Sequence, residues 1–285
     1  MGGSASRDGG FKAGDRVWVT GASSGLGEAL ALKFAEKGAS LVLSARRADV
    51  LQDVAKRCTL RGAKAVSVVS LDQATVGTPD FGEKVAEALA AYGGFEAVVL
   101  NGGVGTRGSA LDTEVDVLKR VLDVNFVSHA EIARLSARKM KEDGVKGRIV
   151  VISSVQGFFG QPQRSAYAAS KHALHGYFDA LRAELAAQGT SVTVASPGYI
   201  KTAHSLNALK GDGVASGQLD ASTEKGACPT AMAGEIFDAA ERRQSELSPS
   251  AGLSAQFARL LRASAPGLLF AIMEGKAAKA ALESN

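Results

Sequence analysis

Tyr167-Ala168-Ala169-Ser170-Lys171 puts a phenol and an ammonium four residues apart. On a helix they share one face, one turn apart. A phenol near its reference pKa of about 10 is a poor acid or base at neutral pH. A lysine ammonium beside it stabilises the phenolate and draws that pKa down. Ser154, in Ile152-Ser153-Ser154-Val155, adds a hydroxyl donor at the end of an apolar run. Asn125, in Asp123-Val124-Asn125-Phe126, adds an amide further upstream. The Tyr-x-x-x-Lys spacing alone is common. Joined to Ser154 it describes a site that moves a proton to or from an oxygen.

A second group of residues suits an anion. Thr20-Gly21-Ala22-Ser23-Ser24-Gly25-Leu26-Gly27 follows an apolar run and precedes a helical stretch. Glycines at such a junction allow a tight turn and close approach of backbone to a pyrophosphate, which the new helix meets with free N–H groups. Gly21, Ser23, Ser24, Gly25, Leu26 and Gly27 are therefore expected to hold a dinucleotide. The spacing lacks the closing Lys-Ser/Thr of a nucleotide-hydrolysing phosphate loop. The next apolar run ends in Leu43-Ser44-Ala45-Arg46-Arg47. An acid there would accept from the ribose hydroxyls and repel a 2′-phosphate, but the first one is Asp49. Arg46 and Arg47 offer charge-assisted bonds to that phosphate and favour NADP(H) over NAD(H).

These groups need rigid elements to position them. Candidate strands at Arg16–Thr20, Ser40–Ser44, Ala65–Ser70, Ala97–Asn101, Arg148–Ser153 and Ser191–Ser196 carry few charges, as buried parallel strands do. Helical stretches near Gly25–Lys37, Ala48–Leu60, Phe81–Ala91, Glu114–Lys141, Ser165–Gln188 and Pro229–Arg243 alternate with them. A seventh strand around Glu246–Ser248 is weakly signalled. The pattern predicts an α/β chain, a single-domain Rossmann fold: a doubly wound parallel sheet of about seven strands flanked by helices. Residues 1–14 read as a flexible tail, 15–250 as the dinucleotide-binding and catalytic domain, and 251–285 as a helical C-terminal extension. Residues 205–228, rich in Gly, Ser and Asp, suggest a lid or a disordered segment.

Composition narrows the partners. Apolar residues make up 46% of the 285, enough for a large core, and the formal charge is +4. Lysines and arginines are scattered, with no basic stripe interleaved with aromatics, so nucleic acid is not expected. Cys58 and Cys228 lack metal-ligand spacing, as does the His172/His175 pair, so neither a metal nor a disulfide framework is expected. No run of about 18 apolar residues and no secretory h-region appear, which points to an intracellular protein, cytoplasmic or resting on a membrane surface. Gly2 followed by Ser6 matches a myristoylation pattern, though a flexible start is the preferred reading.

The T-G-x-x-x-G-x-G turn, Asn101-Gly102-Gly103 after the fourth strand, and the Ser154/Tyr167/Lys171 spacing resemble the short-chain dehydrogenase/reductase superfamily. The resemblance runs from about Val17 to Thr202. It implies that Tyr167 exchanges a proton with the substrate oxygen, that Ser154 donates to that oxygen, and that Lys171 holds the nicotinamide ribose and tunes Tyr167. Asn125 looks like the fourth member, supporting a water-linked relay behind Lys171. Ser153 is the adjacent alternative to Ser154, and spacing decides against it. Asp72 resembles the adenine-contacting acid. Asn101 and Gly102 resemble the Asn-Asn-Ala-Gly turn, with Leu100 and Gly102 departing from its pattern. Ser196–Thr202 matches the Pro-Gly turn: Pro197 and Gly198 shape it, Ile200 meets the carboxamide and Thr202 the phosphates. The segment Leu261–Phe270 is similar to the dehydrogenase/reductase member 7 subgroup, its B-like members above all. That similarity implies a small hydrophobic carbonyl substrate of lipid, steroid or retinoid type, peripheral membrane association, and a homodimer or homotetramer. Phe158, Phe159, Tyr199 and residues 203–228 are candidates for an apolar pocket. The alternatives are an NAD-dependent alcohol dehydrogenase of the same fold and a non-catalytic dinucleotide-binding regulator.

Overall fold

The computed structural model describes residues 9–250 and 252–282. Strands and helices alternate: β1 (Arg16–Thr20), α1 (Gly25–Glu36), β2 (Ser40–Ala45), α2 (Ala48–Leu60), β3 (Ala65–Ser70), α3 (Pro79–Ala90) and β4 (Ala97–Leu100). Then come α4 (Val115–Leu122), α5 (Ser128–Glu142), β5 (Arg148–Ile152), α6 (Ser165–Leu185) and β6 (Ser191–Ala195). The chain ends with α7 (Ala221–Glu224), α8 (Pro229–Glu241), β7 (Glu246–Leu247), α9 (Leu253–Ser264) and α10 (Pro266–Leu282). The seven strands form one parallel sheet in the order β3-β2-β1-β4-β5-β6-β7. The order reverses between β1 and β4, the crevice where open α/β sheets bind ligands. Gly21, Asn101, Ser154 and Pro197 all follow carboxyl ends of the central strands.

Both faces of the sheet are covered, which is why the strands lack an exposed polar side. Val17 and Val19 pack into a core with Leu30, Phe34 and Phe237, while Trp18 points to the opposite core with Phe95, Ile132 and Phe178. Trp18 keeps its indole N–H satisfied by Ser44 Oγ at 2.9 Å.

Four local expectations change. The stretch read as one helix over Glu114–Lys141 is broken by a π turn at Asp123–Val127 that contains Asn125. Such single-turn insertions re-aim side chains, and no propensity scale signals them. Residues 1–8, with the Gly2 motif, lie outside the described residues. From Gly9 onward the opening segment is packed rather than loose. Phe11 is buried against Phe34 and Phe237, and Arg148 Nη2 donates to the Gly9 carbonyl at 2.9 Å. The 205–228 segment is ordered by backbone pairing of Leu209 with Thr106 and Ala215, and of Ala227 with Ile200. Finally, Phe158 and Phe159 turn away from the main cavity. They join Val155, Ala258, Leu261 and Leu269 in a cluster under the C-terminal helices.

Candidate active site

A cavity of about 610 Å³ opens at the carboxyl edge of the sheet and is lined by residues of every predicted group. Its floor is the glycine turn. Gly21 and Gly25 have φ of +63° and +59°, which L side chains rarely adopt. A Cβ on Gly27 would lie 2.2 Å from the Gly21 carbonyl oxygen and 2.4 Å from Asn101 Nδ2. Asn101 completes the turn by donating to the Thr20 and Gly21 carbonyls at 3.3 and 3.2 Å. The first turn of α1 has no side-chain cap, and Gly25 and Leu26 at its start line the cavity. A glycine cradle at a helix N-terminus fits a dinucleotide pyrophosphate.

The rest of that wall agrees. Arg46 and Arg47 line the cavity, both exposed, and neither forms an ion pair among the described residues. Asp72 and Leu26 also line it, and Asp72 Oδ1 accepts from the Ala74 amide at 3.0 Å. Gly102 explains its own departure from the family pattern. A Cβ there would sit 1.6 Å from Gln73 Oε1, so Gln73 occupies the space of the usual alanine methyl. Gln73 is fixed in turn by donating to Ser128 Oγ at 2.8 Å. Pro197, Gly198, Ile200 and Thr202 form the facing edge.

Three of the four reacting candidates meet at the far end. Ser154, Tyr167 and Lys171 all line the cavity. Ser154 Oγ accepts from the Gln156 amide at 3.2 Å, which starts a short turn and fixes its rotamer. Ser153 also lines the cavity, but its hydroxyl bonds to the Lys171 carbonyl and lies 3.1 Å from His175 Nε2. Lys171 is buried, with Nζ donating to the Ile152 carbonyl at 2.9 Å and lying 5.6 Å from the Tyr167 ring centroid. Burial brings its pKa down to about 7. Burial also pushes the Tyr167 phenol up; Ser154 and then Arg164 oppose it. Lys171 is itself desolvated.

Asn125 does not line the cavity. It is fully buried, its Oδ1 accepting from Val104 N at 2.7 Å and its Nδ2 donating to Val104 O at 2.9 Å and Ser170 Oγ at 3.0 Å. It fastens the loop after β4 to the residue beside Lys171.

Several participants carried no local motif. Arg164, Gln156, Gln161 and His204 line the cavity, and the His204 ring lies 6.3 Å from Tyr167. Asp220 Oδ2 accepts from Arg164 Nη2 at 2.6 Å and Arg107 Nη2 at 2.9 Å, tying the 203–228 segment over the site. His129 is fully buried behind Gly102; burial first, then the Lys171 charge, lowers its pKa to about 3, and the Gly102 backbone opposes them. Nothing in local spacing marks contacts between residues this far apart in the chain.

No cluster of metal-ligating side chains occurs among the described residues, and no described helix is long and apolar enough to cross a membrane. Comparison with known proteins agrees with the fold. Residues 15–212 match the family model for short chain dehydrogenases. A dehydrogenase/reductase SDR family protein 7-like from Anopheles gambiae is 42% identical over 269 residues, covering 92% of this chain and 83% of that protein. Dehydrogenase/reductase SDR family member 7B from Mus musculus is 38% identical over 268 residues, covering 92% and 81%. A short-chain type dehydrogenase/reductase from Mycobacterium marinum superposes with a TM-score of 0.70 at 27% identity, covering 83% of this chain and 93% of that one.

Proposed function

The chain belongs to the short-chain dehydrogenase family of nicotinamide-dependent oxidoreductases, and we propose that it uses NADPH to reduce a carbonyl. The observation that carries this reading is the meeting of Ser154, Tyr167 and Lys171 in the same cavity as the glycine cradle. NADPH, when bound, supplies the hydride. Ser154 Oγ–H donates to the carbonyl oxygen and Tyr167 Oη–H gives it the proton. Burial of Tyr167 keeps the phenol protonated at neutral pH, as a proton donor requires. Lys171 would hold the ribose hydroxyls of a bound cofactor, and hydrogen bonds there would favour the charged form that burial disfavours. Asn125 keeps α6 and the loop after β4 in register. Arg46 and Arg47, with no facing carboxylate, support the preference for the 2′-phosphate.

The substrate is a ketone or aldehyde with an apolar body. Val104, Val155, Ala208 and Leu209 support this, while Gln156, Gln161 and Arg164 add polar contacts. The apolar side chains left exposed on the tail helices, Phe257, Leu260, Leu268 and Phe270 among them, suit a homo-oligomer or a membrane surface. A screen of NADPH consumption over steroid, retinoid, acyl and sugar carbonyls tests the reading. Turnover with NADPH at about tenfold or more the NADH efficiency, one to two kcal/mol of discrimination, is expected. Tight NADPH binding without turnover on any class would instead make the chain a dinucleotide-binding regulator.

A further inference from the structure

His175 lies outside the cavity, yet it touches the elements that carry the reacting groups. It sits one turn beyond Lys171 on α6. Its Nε2 is 3.1 Å from Ser153 Oγ and 3.2 Å from Ser196 Oγ. Ser153 directly precedes Ser154, and Ser196 directly precedes Pro197. Ser153 Oγ also reaches the Lys171 carbonyl at 3.3 Å. One imidazole thus joins the segments that follow β5 and β6 to α6, beside the backbone bonds from Ser153 N to Ala195 O at 2.7 Å and from Val155 N to Pro197 O at 3.1 Å.

The surroundings hold the ring in this place. A Cβ on Gly157 would lie 2.7 Å from the imidazole and 2.8 Å from Ser153 Oγ, so only glycine lets the loop after Ser154 pass over it. The Phe158 ring lies 4.6 Å from the imidazole. The Arg259 guanidinium of α9 lies 4.0 Å from the Phe158 centroid and is itself held by Glu246 of β7 at 3.1 Å. A continuous stack therefore runs from the tail helix to the two strand ends, by side-chain contacts alone.

We propose that His175 is a positioning residue that locks the strand ends presenting Ser154 and Pro197, and that α9 keeps it there through Arg259 and Phe158. Its effects on turnover and on NADPH binding rest on the reductase reading above; its effect on local order does not. A side chain that fixes strand ends governs how often those ends open, and amide exchange reads that opening directly. A misplacement of about 1 Å at a reacting group costs up to about a hundredfold in rate.

The test uses the full chain with His175→Leu, His175→Gln and Arg259→Ala. Hydrogen exchange of residues 153–157 and 196–202 is followed without cofactor, and NADPH affinity and kcat are measured alongside. His175→Leu is expected to exchange at least about tenfold faster in those two segments, with the rest of the sheet unchanged. It should bind NADPH more weakly and lose about tenfold in kcat while KM for the carbonyl changes little. His175→Gln, whose amide bonds to the serines, should recover most of each effect, and Arg259→Ala should show a smaller change of the same pattern. Wild-type exchange in His175→Leu, or a Gln variant as defective as Leu, overturns the proposal. Should the Leu variant not fold, Arg259→Ala decides, and unchanged exchange in both segments overturns it. A wild-type protein that neither binds NADPH nor reduces a carbonyl counts against the reductase reading, and the exchange result still stands.

Discussion

The two walls of the cavity are built by different means. The cofactor wall is mostly backbone: a Cβ on Gly21 would lie 2.6 Å from the Gly102 Cα, and one on Gly27 would lie 2.2 Å from the Gly21 carbonyl oxygen. The substrate wall is side chain: Asp220 holds Arg107 and Arg164, and Asn125 holds Val104. A backbone wall admits one residue type at each position and recognises what all dinucleotides share. A side-chain wall has many solutions, and that is where specificity can vary.

The comparison breaks first on the backbone side. Gly27→Ala puts a methyl 2.2 Å from the Gly21 carbonyl oxygen. It is expected to abolish NADPH binding and to destabilise the chain by about 4 kcal/mol or more, read by denaturant unfolding. Arg46→Asp leaves the cradle intact and tests only the 2′-phosphate. The NADPH-to-NADH affinity ratio should fall by one to two orders of magnitude, about 2 kcal/mol. An unchanged ratio would remove Arg46 from the phosphate site. On the side-chain wall, Asp220→Asn weakens two charge-assisted bonds that are partly exposed. The expected cost is about 1–2 kcal/mol in stability, with carbonyl KM rising several-fold and NADPH affinity unmoved.

A further effect is one of pH. Lys171 titrates near 7 in the folded protein and near 10.5 when exposed. Between those values the unfolded chain binds the extra proton, so stability without cofactor rises with pH through that window. Below about 7 both states are charged and this contribution is flat. The slope should vanish in Lys171→Met, and it should shrink when NADPH is bound and the charged form is held. Melting temperatures across pH 6–10 measure it; equal slopes in wild type and Lys171→Met would contradict the burial of Lys171.

The same division decides what was legible in the sequence. The turn, the alternation of strands and helices, and the Ser154/Tyr167/Lys171 spacing are readable because backbone geometry and helical spacing force residue types into fixed intervals. The π turn at Asn125 was not, since it changes hydrogen bonding without changing the apolar pattern. Nor was the burial of Phe11, whose partners Phe34 and Phe237 lie far along the chain. Phe158 and Phe159 read equally as pocket or core, since aromatics after a catalytic strand suit either. Arg259 and the apolar side chains of α9 and α10 draw them to the tail instead. Asp220 was hidden within a Gly-rich stretch that reads as loose until Arg107 and Arg164 are seen beside it.

The central claim is that Tyr167 delivers the proton at a site whose other wall binds NADPH. Tyr167→Phe removes one oxygen and leaves the cradle untouched. On the best carbonyl from the screen, kcat should fall by a factor of about 10²–10⁴ while the NADPH dissociation constant stays within about twofold of wild type. A Phe variant that turns over at the wild-type rate would contradict the account.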